Sequence, residues 1–461
     1  MFTNRGEKVV RGRNLSTEKN GLLFNRKGRT QNPQVTIGVP RALGTYENYP
    51  FWHTLLDECG FGVEMSSPST FTNYEAGVHT VMSDNICFPA KLAHSHIYDL
   101  ISKGVDRIFM PYVVYEKSEG TKTSNSYNCP IVSGYSEVIK SAVNPAVPVD
   151  APVITFRDCK LLEKGCVEYL AGLGIGKSTA KKAVAAAVDA QEEYETEIKR
   201  INMEAYDEAQ ASGSIVILLA GRPYHTDPLV QHKLSDMIAD MGVTVVTEDI
   251  VRDNDAADLR RTHHVSQWAY INRILRAADF VGNGPDDLHY VQMTSFGCGP
   301  DAFLLDEVKS TLNRHGKSLT LLKIDDVNNI GSLKLRVRSV VESLRFGSGA
   351  PRKHKPFVTT KAFGKEDRKR TILIPYFTDY ISPLISPIMK LAGYDTVQLP
   401  ESDMESAEYG LVYANNEVCY PATLIVGDLV KALASGEYDL DNTAVIITQT
   451  GGQCRASNYI A

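Results

Sequence analysis

The sequence predicts an α/β protein of repeated Rossmann-like modules, with parallel sheets and a long connecting helix. Three observations predict it. An apolar strand ending at a proline occurs three times, as VTIGVP (Val35–Pro40), SIVILLAGRP (Ser214–Pro223) and TILIPY (Thr371–Tyr376). A helical stretch stopped by glycine follows each, with Pro40 to Gly60, Pro223 to Gly242 and Pro375 to Gly393 spanning 20, 19 and 18 residues. A second short strand then begins near Val63, at VTVV and at TVQL. Strand, turn, glycine-ended helix and strand make a βαβ unit of a parallel sheet.

The outer two copies extend further. Cys87-Phe-Pro-Ala-Lys and Cys419-Tyr-Pro-Ala-Thr each open a helix, and proline suits the first turn because its missing N–H would find no partner there. Cys87 to Gly104 and Cys419 to Gly436 both span 17 residues. Strands DRIFMPYVV and TAVIITQ come next, then polar turns ending at Cys129 and Cys454. The middle copy has WAYINRILRAA from Trp268 in place of the first cysteine helix, and keeps the later cysteine as Cys298 in TSFGCGP. The expected divisions are a loosely ordered tail over 1–33, a first module over 34–150 with Cys87 and Cys129, and a helical connector over 151–213. A second module covers 214–345 with Cys298, a linker 346–370, and a third, incomplete module 371–461 with Cys419 and Cys454. The connector, rich in Ala, Glu and Lys (KKAVAAAVDAQEEYETEIKRINMEAYDEAQ), reads as one long helix from about Leu161 to Gly213.

The bulk numbers set limits. At 461 residues with 43% hydrophobic and 23% charged residues, the chain can build about three cores of ordinary size. A net charge of −6 and a pI near 6.0 argue against nucleic acid as partner. No apolar run reaches membrane-spanning length, and the basic N-terminus lacks the apolar core of a secretory signal, so no membrane partner and a cytoplasmic location are expected.

A cytoplasmic chain should not keep its eight cysteines as structural disulfides. Taken singly, each reads as a small buried hydrophobe. The matched spacing and turn context favour ligation for Cys87, Cys129 and Cys298, whose thiolates would be stabilised by N–H groups at helix starts and strand ends. Three such cysteines can hold an iron–sulfur cluster with one iron open to another ligand. Cys419 and Cys454 form a second pair lacking its third member, so the last module is expected to dock on another chain or on a second copy. Cys59, Cys159 and Cys166 repeat nowhere and read as structural. Lys91, His94 and His96 on the Cys87 helix, and Arg222, Tyr224 and His225 in GRPYH, are candidates for a surrounding shell or an anion-binding turn. GLGIGKST (Gly172–Thr179) lacks the first glycine of a phosphate loop, because Ala171 stands there, and reads as a helix start.

At IGVPRALGTYENYPFW, CFPAKLAHSHIYDLI, NSYNCPIVSGYSEVIK, GRPYHTDP, SFGCGPDAF and LLKIDD the sequence resembles the 2-hydroxyacyl-CoA dehydratase activase-related proteins. These are similar to the cluster-bearing subunits of 2-hydroxyacyl-CoA dehydratases, benzoyl-CoA reductases and double-cubane cluster proteins. The resemblance covers roughly residues 34–461. It implies an anaerobe's oxygen-sensitive cluster of the 4Fe-4S or double-cubane type. It also implies a separate ATP-hydrolysing activase, of the BadF/BcrA type, that delivers low-potential electrons. Two other readings stand beside an iron–sulfur reductase or dehydratase component: an accessory electron carrier or cluster scaffold, and a cluster-free ligand-binding Rossmann protein.

Overall fold

The computed structural model describes residues 10–120, 123–253, 259, 262–263, 265–326, 330–346 and 362–460. Most of the expected linker and the first nine residues lie outside them. The chain divides into two compact units. The first takes residues 1–260, 266–297 and 308–355, and the second takes 261–265, 298–307 and 356–461.

The first unit holds two larger sheets. One joins β1 (Thr36–Val39), β2 (Gly62–Met65), β3 (Arg107–Phe109) and β5 (Val149–Asp150) in the order β2-β1-β3-β5. Beside it β4 (Tyr112–Tyr115) pairs with β6 (Val153–Thr155). The other joins β7 (Val216–Ala220), β8 (Thr244–Thr247), β9 (Leu288–Ser295) and β10 (Thr320–Ile324) in the order β10-β9-β7-β8. In the second unit β11 (Thr371–Ile374), β12 (Asp395–Gln398) and β13 (Thr443–Val445) run β12-β11-β13. Every strand pair is parallel, so the α/β class of Rossmann-like modules holds. In each of the three larger sheets the first strand lies between the second and the third, which puts a switch point beside it. The glycine stops read from the sequence, Gly60, Gly104, Gly242, Gly393 and Gly436, all have positive φ (84, 74, 78, 84 and 78°), a conformation that a Cβ would strain.

Three expectations are corrected. The tail is not loose throughout. Leu15–Phe24 forms helix α1, with Leu15, Leu23 and Lys19 fully buried and Lys19 Nζ 2.6 Å from Asp249 Oδ2. Two leucines and one matched charge suffice to anchor a segment that looks polar overall. The connector is two helices, α6 (Cys159–Gly172) and α7 (Lys177–Ala211), broken where Gly174 takes φ +85°. The segment GLGIGKST thus caps one helix and starts the next, with Gly176 as N-cap of α7. Of the helical stretch expected between Pro223 and Gly242, only Leu234–Asp240 (α8) is α-helical. The residues before it turn about Asp227, whose Oδ1 accepts from Leu229 N (2.8 Å) and Val230 N (3.0 Å).

The first core packs α2 (Thr45–Asp57) against α7: Trp52, Leu55 and Leu56 meet Ala180, Ala183, Val184 and Ala187. The small α7 side chains allow close approach, and α2 is buried along almost its whole length. A second core lies under the middle sheet, around Ile217, Leu219, Val245 and Val291. The first and third modules correspond element by element. After β1 come α2, β2, α3 (Phe71–Gly77), α4 (Phe88–Ser102) and β3. After β11 come α12 (Ser382–Leu391), β12, α13 (Met404–Tyr413), α14 (Tyr420–Ala434) and β13. Burial separates them: α12 buries only Ser382 and Ser386.

Candidate functional site

All five repeat cysteines stand directly ahead of a helical turn. Cys87 is the N-cap of α4, Cys129 of α5 (Pro130–Val143), Cys419 of α14 and Cys454 of the short 3-10 turn Arg455–Asn458. Cys298 precedes α10 (Gly299–Arg314) and its carbonyl accepts from Asp301 N at 3.2 Å. A side chain at such a position can reach the unpaired first-turn N–H groups, and of the four N-cap cysteines Cys129 is the one whose side chain makes that capping bond. Cys129 Sγ already accepts from Val132 N at 3.4 Å. A proline sits in the first turn after Cys87, Cys129 and Cys419 (Pro89, Pro130, Pro421), and Pro300 does so after Cys298. Cys-Pro and Cys-x-Pro were therefore the sequence signal that places Cys129 and Cys298 at helix starts rather than in plain turns.

In the first unit, α4 and α5 pack together, bringing the ends headed by Cys87 and Cys129 to neighbouring helices. Tyr135, on α5, is buried, and burial and then the Cys87 thiol raise its pKa. Gly297 takes φ +72° against the same loop, so that a Cβ there would come within 2.5 Å of Asn85 O and 3.9 Å of Cys87 N. Only glycine fits that approach, and Cys298 is the next residue in the chain. The second unit claims Cys298 itself, with the first turn of α10: Gly299 lies against Arg455, Ala302 O accepts from Asn415 Nδ2 (3.2 Å), and Phe303 stacks on Tyr459 at 5.9 Å. Tyr459 Oη lies 2.8 Å from Cys419 Sγ. Cys298, expected with the middle module, thus parts from its strand β9, because side chains of the last module hold the turn that follows it.

The surrounding candidates separate into four groups. His94 is fully buried, with Nε2 3.0 Å from Tyr135 Oη and Nδ1 2.9 Å from Thr80 Oγ1, so it reaches the Cys87 environment through Tyr135. His96 belongs elsewhere. It lies between Ser66 Oγ (2.9 Å) and Ser69 Oγ (3.0 Å), and Ser69 and Tyr46 both donate to Asp227 Oδ2 at 2.5 Å. Burial holds both histidines down to about 4. Lys91 pairs with Asp326 Oδ2 at 2.7 Å, joined by Tyr74 Oη. Arg222, Tyr224 and His225 are buried at the end of β7. There His225 Nδ1 accepts from Arg222 N (3.1 Å), Nε2 approaches Ser295 Oγ (3.4 Å), and burial and then Arg222 lower its pKa to about 3.

Cys166 is fully buried in the first core with Cys59 packed at its edge, and burial pushes these thiols up to about 12 and about 11. Cys159 is exposed on the first turn of α6 rather than in a core.

Among the described residues, no three His, Cys, Asp or Glu side chains stand as a ready metal-holding group. The donor chemistry fits an iron–sulfur cluster, because cysteine sulfurs are the ligands such clusters take. The described arrangement does not by itself complete the ligand set.

Residues 36–251 match the family described as a CoA enzyme activase uncharacterised domain (DUF2229). The description agrees with the resemblance to 2-hydroxyacyl-CoA dehydratase activase-related proteins, and the segment contains Cys87, Cys129 and the α7 connector. No curated protein is significantly similar to the chain. Three solved structures align over much of it. A glucosamine-6-phosphate deaminase from Thermotoga maritima has 10% identity over 73% of this chain and 96% of its own, with a TM-score of 0.18. The C-terminal domain of glucosamine-fructose-6-phosphate aminotransferase from Francisella tularensis has 10% identity over 71% and 92%, with 0.17. A tagatose-6-phosphate ketose/aldose isomerase from Escherichia coli has 11% identity over 95% and 90%, with 0.16. At such scores these likenesses carry no argument. Among the described residues, no helix is long and apolar enough to cross a membrane.

Proposed function

We propose that the chain is an iron–sulfur protein of the 2-hydroxyacyl-CoA dehydratase and benzoyl-CoA reductase type. In this reading it takes low-potential electrons from an ATP-hydrolysing activase and passes them to a small substrate of the acyl-CoA class. Cys87, Cys129 and Cys298 would hold the cluster, which when bound supplies one-electron transfer. The observation that carries the reading is the helix-start placement of Cys87 and Cys129 in the family-matched segment, on the packed helices α4 and α5. The chain's own part is to present thiolates at first-turn N–H groups and to set Tyr135 and His94 beside Cys87.

Anaerobic iron and sulfide assay with electron paramagnetic resonance tests this. Replacing Cys87, Cys129 or Cys298 by Ser should remove most bound iron, whereas Cys166→Ala should keep it at a stability cost of ~1–3 kcal/mol. Wild-type iron in all three serine variants would refute the ligand set.

The same reading gives the last module a second copy of this chain as partner. Ile381, Leu384, Ile388 and Leu391 are 55, 58, 62 and 91% exposed and follow one another at heptad spacing on and beside α12. In the first module the matching helix, α2, is covered by α7. An apolar heptad seam is self-complementary and suits pairing of two α12 helices about a twofold axis. Sedimentation should show a concentration-dependent dimer that Leu384→Asp abolishes. A protein monomeric at all concentrations would overturn the pairing.

A further inference from the structure

We propose that Glu116 is the positioning residue for Cys129. This deepens the cluster reading and rests on it only for why the thiol has to be held. Glu116 follows β4 and is 4% exposed. Its carboxylate is the meeting point of three buried side chains from three separate elements. Oε1 accepts from Asn128 Nδ2 at 2.7 Å, from Tyr270 Oη at 2.9 Å and from Asn48 Nδ2 at 3.2 Å, and Oε2 accepts from Asn48 Nδ2 at 3.0 Å. Asn48 lies on α2, Tyr270 on α9 (Ala269–Asn283), and Asn128 is the residue before Cys129.

The backbone around Asn128 is tied to the same place. Glu116 N donates to Ser126 O (2.9 Å), Ser126 Oγ to Glu116 O (2.7 Å), and Asn128 N to Val114 O (2.9 Å). Asn128 Nδ2 also donates to Val113 O at 3.1 Å. On the other side, Tyr127 N donates to Gln267 O (2.8 Å) and Ala269 N to Tyr127 O (3.0 Å). The stretch that delivers Cys129 to the start of α5 is therefore clamped between β4 and the start of α9. The carboxylate touches the approach segment at Asn128, α2 at Asn48 and α9 at Tyr270.

Such a buried carboxyl is costly to hold. Burial, and next the Glu47 carboxylate, push Glu116 up to about 7, against the donors Asn48, Asn128 and Tyr270. A fold that needed only to fill this space would do so more cheaply with an apolar side chain, since a buried charge loses its hydration. The cost is intelligible if the carboxylate's reach to three donors is what holds the cysteine's register.

The test uses the full chain in iron-free form under anaerobic conditions. Alkylation of each cysteine by iodoacetamide is followed by mass spectrometry in wild type, Glu116→Gln, Glu116→Ala and Asn128→Ala. Losing the charge-assisted contact should raise the Cys129 rate by about tenfold in Glu116→Ala and Asn128→Ala, with a smaller rise in Glu116→Gln, which keeps one acceptor oxygen. The Cys87 rate should be unchanged. If Glu116→Ala does not fold, the other two variants decide the matter. After reconstitution, the same variants should shift the paramagnetic resonance spectrum, which a merely space-filling role would leave alone. Equal Cys129 rates in all variants would overturn the proposal. If Cys129 reactivity follows Glu116 but the wild type takes up no iron, the positioning stands and the ligand reading fails.

Discussion

Asp249→Ala is expected to destabilise the first unit by about 3–5 kcal/mol, the cost of removing one partner from a buried ion network. Asp249 is fully buried and meets Lys19 Nζ (2.6 Å), Arg252 Nε (2.7 Å) and Arg273 Nη1 (3.4 Å). The two guanidinium groups also share Glu47 Oε1, at 2.8 Å from Arg252 and 2.6 Å from Arg273, and Arg273 pairs with Glu119 as well. Burial by itself would raise these carboxyls. Lys19, Arg252 and Arg273 outweigh it at Asp249, which stays far below the usual carboxylate range, and Arg252 and Arg273 bring Glu47 down to about 2. Removing Asp249 leaves Lys19, Arg252 and Arg273 short of one carboxylate in a space closed to water. The network joins α1, α2, the turn after β8 and α9, so its failure should open the unit as a whole. Urea unfolding measures this. Glu197→Ala, which breaks the solvent-exposed pair with Arg200 on α7, serves as the control and should cost no more than about 1 kcal/mol. Equal costs for the two variants would show that the inner network is hydrated.

Between pH 7 and pH 5 the first unit should lose about 2 kcal/mol of stability for each of three buried histidines, His94, His96 and His225. Their pKa values fall from 6.5 to about 4, about 4 and about 3, with burial as the leading cause in each case. The sign follows from proton counting. Below pH 6.5 the unfolded chain takes up protons that the folded histidines refuse, so their contribution is complete above 6.5 and drains away as pH falls toward 4. His96→Gln keeps a polar side chain between Ser66 and Ser69 and should flatten the slope by about 1.4 kcal/mol per pH unit in that window. Unfolding midpoints recorded from pH 7.5 to 5 decide it. A curve with no dependence on pH would mean that the rings are solvated or already charged when folded.

Much of the fold was legible from local chemistry. The three strand-proline-helix-glycine units could be placed because a glycine that ends a helix must take positive φ, and because a parallel strand buried on both faces is continuously apolar. The α7 helix was legible in its Ala, Glu and Lys content, although the break at Gly174 divides the segment in two. Cys87 and Cys419 could be set at helix starts because a proline two residues on marks the first turn. The same mark was present after Cys129, as Pro130, and there the surrounding Asn and Ser residues had favoured a plain turn.

What the sequence by itself determined about this protein was the kind of module, its repetition, and which thiols lie at its functional edge. These depend on backbone dihedrals and on strand and helix periods, which neighbouring residues dictate. Only the tertiary structure decided which faces are covered and which side chains meet. The matching helices α2 and α12 have similar local roles, yet one is enclosed by α7 and the other bares Leu384 and Ile388. Lys19 is buried only because Asp249, far along the chain, answers its charge. Glu116 gathers Asn48, Asn128 and Tyr270 from three elements with no shared motif. Burial and charge pairing are properties of contacts between distant segments, and the free energy of such a contact is written in neither segment alone.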